Sequence, residues 1–188
     1  MSATRCAALA AALWLIPGGA ALAADPNFEA LRRICIDTHA DRDGAFAEAK
    51  AEGFARPPAS VVKSLTSKDL ENGAFRARFV DDAMQFVIVG ERRFPAGPGF
   101  KVAVCGLAIV PTDTASEDAL TAWSEVPPQD GEDGGSFMLF VGEPGHRTPA
   151  LDIPSDRLEA LAREGAVQLT GVSHTDAATI LIYGVVQP

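Results

Sequence analysis

Positive charge is scarce in this 188-residue sequence, where sixteen Lys and Arg face twenty-five Asp and Glu for a formal charge of −9. Such a chain repels phosphate backbones and anionic lipid heads, so no nucleic-acid partner is expected. Long apolar runs are lacking as well. The apolar run near the N-terminus extends from Ala7 to Ile16, well short of the ~18 apolar residues a membrane-spanning helix needs. There are only three cysteines and three histidines. C-x-x-C is absent, which removes a thioredoxin-type redox role. No P-loop, dinucleotide fingerprint, G-x-S-x-G elbow or zinc-type pair of His or Cys occurs either, so no cofactor and no metal are expected. What is present, 47% hydrophobic and 22% charged residues, is the composition of a folded globular domain rather than a disordered chain.

Residues 1–23 read as a secretory signal peptide. Arg5 supplies the positive start, Ala7 to Ile16 the apolar segment, Pro17-Gly18-Gly19 the break, and Ala21-Leu22-Ala23 the small residues of a cleavage site. A lipid anchor would need a cysteine just after that site, whereas Cys6 precedes the apolar segment, so no membrane anchor is expected after cleavage. Removing 23 of 188 residues leaves 165, residues 24–188, expected as a single domain. Loss of Arg5 leaves 15 basic against 25 acidic residues, a charge of −10. The expected location is the periplasm or the exterior of a Gram-negative cell.

Export decides how the cysteines are read. Cys6 leaves with the signal, so Cys35 and Cys105 are the only two thiols in a compartment where disulfides persist, and one pairing is available to them. Closing a loop of about 70 residues contributes on the order of 4 kcal/mol in the chain-entropy description. The alternative sets Cys35 beside His39, four residues on, as a nucleophile with its base.

Phe28, Leu31 and Cys35 recur on one helical face, and Thr38 or Asp41 suits the cap of a second helix through Phe46 and Ala49 that stops at Gly53. From Arg56 to Gly73 the signals are mixed: Pro57-Pro58 suits a chain turn or a helix start, Val61, Val62 and Leu65 suit one helical turn or a short strand, and most of the stretch is unassigned. From Ala74 the period changes to two: Phe75, Ala77 and Phe79 alternate with arginines, Asp81-Asp82 turns the chain, and Met84 to Phe94 returns as the second arm of a hairpin. After a turn at Pro95 to Gly99, Phe100 to Val110 is apolar on both faces, as an interior strand is. Thr114 to Glu117 has capping-box spacing for a helix carrying Leu120 and Trp123, closed by Pro127-Pro128. Asp130 to Gly135 reads as a loop, Ser136 to Val141 as a strand, Ser155 to Gly165 as a helix with its glycine stop, and Val167 to Val172 and Thr179 to Val186 as two strands. The expected fold is α+β, a mainly antiparallel sheet of five or six strands with about four helices.

Four polar constellations invite a functional reading. Asp37, His39, Asp41 and Asp43 offer metal-type ligands, but they fall between two helical patterns where Asp and Thr serve as caps. Asp130, Glu132 and Asp133 lack the closing Glu of a calcium loop. Ser173-His174-Thr175-Asp176 holds triad residue types, yet as neighbours on one connection they suit turn chemistry better. In Gly142 to Arg147, glycines let the backbone approach a ligand and His146 with Arg147 can meet an anion, which makes His146 and Arg147 the candidate binding loop.

Within Leu31 to Phe54, the residues Cys35, Thr38, Ala45, Ala49, Gly53 and Phe54 resemble the opening of a group of short secreted bacterial proteins, in which a cysteine-bearing helix precedes an alanine-rich one ending in glycine and an aromatic. The resemblance covers about 25 residues; it implies export and a disulfide and brings no catalytic residue. The expected function is a non-enzymatic binding or envelope-maintenance module whose partner is a protein or a small ligand. The alternative is a small periplasmic hydrolase or other enzyme using a histidine with a nearby carboxylate. N-terminal sequencing of the exported form is expected to begin at Ala24 or Asp25; retention in membranes after a salt wash would contradict the signal-peptide reading.

Overall fold

The computed structural model describes residues 25–65, 70–93, 100–131 and 135–188. Residues 1–23, expected as a signal peptide, the expected turn at Pro95 to Gly99 and the acidic residues Glu132 and Asp133 lie outside them. The elements run α1 (Pro26–Leu31), a π-helical turn (Arg32–Ile36), α2 (Arg42–Ala51), α3 (Ala59–Leu65), β1 (Glu71–Val80), β2 (Ala83–Arg93), β3 (Lys101–Val110), α4 (Ala115–Ser124), β4 (Gln129–Asp130), β5 (Ser136–Val141), β6 (Thr148–Pro149), a 3-10 turn (Ala150–Asp152), α5 (Ser155–Arg163), β7 (Val167–His174) and β8 (Thr179–Gln187).

The fold is α+β, built on one antiparallel sheet in the order β1-β2-β3-β8-β7-β5-β4, with β6 also on β5. Among the described residues, eight strands replace the expected five or six, and five helices the expected four or so. The additions have simple causes. β4 and β6 are two residues each, too short to show alternation, and β4 places Asp130 in a strand where a loop was expected; its hairpin with β5 is closed by Gly131 N donating to Gly135 O at 2.8 Å. α3 occupies part of the stretch whose signals were mixed. β1 starts at Glu71 rather than Ala74 because its register slips between those residues, and a bulge breaks the alternation that sequence reading relies on.

β3 and β8, apolar on both faces, lie side by side in the interior of the sheet. On one face Val87, Val89, Cys105, Leu107, Leu181 and Tyr183 pack against Leu31, Ile34, Ala45, Ala49 and Leu120 from the helical layer. On the other, Val102, Val104 and Val186 meet Leu158, Leu161 and Ala162 of α5. Helix α5 ends where Gly165 takes a φ of 70°, a conformation that favours glycine. The Cys35–Cys105 disulfide joins the π-helical turn to the middle of β3 with Cα atoms 5.3 Å apart, so Cys35 is a structural half-cystine and not the nucleophile of a Cys35–His39 pair. Trp123 sits over the sheet with Phe28, Phe140 and Tyr183 at centroid distances of 6.3, 6.1 and 6.4 Å. Among the described residues no helix is long and apolar enough to cross a membrane.

The sheet core sets the stability. Leu107 has 0% exposure, and Leu107→Ala is expected to cost about 2–5 kcal/mol in urea unfolding, as large-to-small core changes do. Asp130 is exposed, and Asp130→Ala is expected to stay within about 0.5 kcal/mol. A larger loss at Asp130 would overturn this division.

Candidate functional site

Two polar regions lie at opposite ends of the helix-covered sheet face, and their chemistry differs. The first is where α1, α4, β2 and β8 meet. Asp25 caps α1 by accepting from Phe28 N at 2.7 Å, and its Oδ1 also lies 2.8 Å from Ser116 Oγ, whose single proton is shared between Asp25 and Asp113. Asp113 accepts from Asn27 Nδ2 at 2.7 Å, from Ala115 N at 3.0 Å and from Ser116 Oγ, while its own amide donates to Thr179 Oγ1 at 2.9 Å. Asp113 therefore caps α4 where Thr114 was expected to; Thr114 makes no side-chain cap. Gln85 extends the network, donating to Asn27 Oδ1 and accepting from Arg78 Nε at 2.6 Å. Burial raises the cost of ionising Asp113, but hydrogen bonds from Ser116, Asn27 and backbone amides outweigh it and hold the carboxyl below the usual aspartate range. These groups satisfy one another and tie four elements together.

Beside this network stands the one histidine that meets a carboxylate among the described residues. His174 Nε2 lies 2.9 Å from Glu117 Oε2, and its Nδ1 lies 3.4 Å from Thr179 Oγ1. Thr179 is buried and its oxygen already accepts the Asp113 amide, so that hydroxyl is not presented to a substrate. Ser173 and His174 end β7, and Thr175 closes the turn by accepting from Ala178 N at 3.0 Å. His39 and His146 are exposed and apart from it. Asp37 pairs with Arg32 at 3.1 Å and Asp41 caps α2 by accepting from Gly44 N at 2.8 Å. No group of three potential metal ligands occurs among the described residues.

The candidate binding loop splits in two. His146 is exposed, while Arg147 turns inward: its guanidinium lies 3.6 Å from the Trp123 ring centroid and 4.6 Å from that of Phe140, and it donates to the Trp123 carbonyl. Glu125 holds the loop by accepting from Gly145 N at 2.7 Å. Burial lowers the Arg147 pKa and pushes that of Tyr183 up to about 12. Arg147 thus covers the aromatic cluster through cation–π contact.

The opposite end of the face is open. After the π-helical turn, His39 and Ala40 adopt left-handed φ values of 53° and 55°, and the reversal they make delivers Asp41 to the start of α2. On the sheet side, Asn72 has a φ of 55°, and it and Gly73 fall within the register slip of β1 opposite Gly90. A Cβ on Gly90 would lie 2.7 Å from Leu70 Cδ1 and 3.0 Å from Glu71 O, so glycine is what permits the bulge to close down here. Arg42 Nη1 donates to Asn72 O at 3.2 Å and bridges the two sides. Between them lies a groove of about 180 Å³ with Val89, Gly90 and Ala103 among its lining. Asp41, Arg42, Glu91 and Gln187 add polar groups to it. Lys101 bridges Glu91 at 3.0 Å and Glu71 at 3.3 Å just outside, an arrangement that raises the lysine pKa and lowers that of Glu71. Non-glycine residues in left-handed backbone cost about 1–3 kcal/mol each and gather at ligand-holding sites. Sequence reading missed the groove, because its walls come from segments far apart in the chain.

Comparison of the chain with protein-family models, with curated proteins and with solved structures finds no match.

The Asp113 network gives a pH prediction. A depressed carboxyl pKa stabilises the fold fully above the ordinary aspartate value of about 3.9, and that contribution is lost as pH falls through the folded-state value. Asp113→Asn is expected to unfold at lower urea than the wild type at neutral pH, with the gap narrowing on acidification, followed by Trp123 fluorescence. A gap independent of pH would contradict the assignment.

Proposed function

We propose that this protein is an exported, non-enzymatic binding module, acting in the periplasm or outside the cell, and that its ligand sits in the groove between the Ala40–Arg42 turn and the β1 bulge. The signal-like residues 1–23 and the Cys35–Cys105 disulfide support export. The observation that carries the binding reading is the groove itself, where residues in left-handed backbone stand on both walls around an apolar floor with polar groups at its rim. Its size favours a small ligand over a protein segment.

The second reading, an enzyme using a histidine and a carboxylate, has one specific observation in its favour, the His174–Glu117 contact of 2.9 Å. It is the weaker of the two because the nearest hydroxyl is buried and engaged.

Filling the groove tests the binding reading. The low-molecular-weight fraction of an envelope extract is expected to raise the thermal midpoint of the wild type and to leave that of Ala103→Phe unchanged. An equal response of the two proteins, or none in either, would contradict it.

A further inference from the structure

We propose that the groove takes a small zwitterion of the α-amino-acid type with a short apolar side chain. This rests on the binding reading above and names the ligand class of the same site.

Size sets the first limit. Pockets for drug-sized ligands run to about 300–1,000 Å³, whereas this groove holds about 180 Å³, room for a molecule of a few heavy atoms. Surface chemistry sets the second. Among the described residues no aromatic ring lines the groove, so there is no stacking platform for a sugar or a nucleobase. Its apolar floor is made of small side chains, Val89 and Ala103, which suit a methyl or isopropyl group.

Charge sets the third. Two carboxylates and one guanidinium border the same space. Asp41 uses Oδ2 on the Gly44 amide, and Glu91 uses Oε2 on Lys101, so each keeps a second oxygen for an ammonium group in the groove that both residues line. Arg42 gives one N–H of Nη1 to Asn72 O, and a guanidinium has five donors in a planar fork suited to a carboxylate. That hydrogen bond also ties the arginine to the β1 bulge, which reduces the freedom it would lose on binding. An ammonium at Asp41 and Glu91, a carboxylate at Arg42 and a small side chain over Val89 and Ala103 together describe an amino acid such as alanine or valine.

The test is calorimetric titration of the exported, disulfide-intact protein with L-alanine and L-valine, and with N-acetyl-L-alanine and L-alaninamide, which each lack one charge. The free amino acids are expected to bind with Kd near or below about 1 mM, and removing either charge to weaken binding at least about tenfold. Arg42→Lys, which keeps the charge but not the fork, and Glu91→Gln are each expected to weaken L-alanine binding by a similar factor while unfolding in urea cooperatively. Equal binding of free and blocked alanine, or unchanged binding in both variants, overturns the proposal. If no amino acid binds while the extract fraction still stabilises the wild type and not Ala103→Phe, the zwitterion is wrong and the groove stands. If neither binds, both readings fall.

Discussion

The Cys35–Cys105 bond is the constraint on which the rest of the helical layer depends. It fastens the end of the first helical segment to the interior strand β3, across 70 residues of sequence. Confining that loop in the unfolded chain is worth about 4 kcal/mol in the chain-entropy description, but its positional effect matters as much. Residues Arg32 to Ile36 wind as a π-helical turn, with Asp37 N donating to Arg32 O at 2.8 Å and Ala40 N to Cys35 O at 2.9 Å. The turn carries Cys35 to the sheet, and the chain must then reverse within a few residues to start α2. His39 and Ala40 make that reversal in left-handed backbone, and the packing of Ala40, Ala45 and Ala49 against the core holds it there.

From this anchoring follows a division between the two ends of the sheet face. At the α4 end, Asp25, Asn27, Asp113, Ser116 and Thr179 hydrogen-bond one another. Buried polar groups paired in this way hold a fold together and leave little for a ligand to engage. At the α2 end, small residues and a bulge leave an open groove, and the charged groups around it retain hydrogen-bonding capacity. The same polar residue types thus serve architecture at one end and are available for recognition at the other. Arg147, the cation of the candidate loop, belongs with the architecture, since it lies over Trp123 and Phe140.

Much of the framework was legible in the sequence because its signals are local. The two-sided apolar runs of β3 and β8, the one-sided helix before Gly165 and the hairpin around Asp81-Asp82 each fit within one window of the chain. The disulfide was legible because only Cys35 and Cys105 follow the signal-like residues 1–23. Elements of two residues carry no period, so β4 and β6 were not, and the Asn72–Gly73 bulge displaced the apparent start of β1. Helix α4 was found but its cap was misplaced by one residue, since Asp113 is held by a tertiary contact to Asn27 that spacing cannot reveal, beside its local one to Ser116. The groove was invisible for a related reason, with walls from residues 40–42, 72, 89–91, 103 and 187. Its one local trace is Gly90 inside an otherwise apolar strand, a position that signals close approach of another segment.

The most direct measurement of the clamp's role is hydrogen exchange by mass spectrometry on the oxidised protein and on Cys35→Ser/Cys105→Ser. Exchange is expected to rise in residues 26–51, the first helical segment through α2, while β3 and β8 keep their protection. A uniform rise over the whole chain, or no change in residues 26–51, would contradict the claim that this bond holds the helical layer and the groove wall in place.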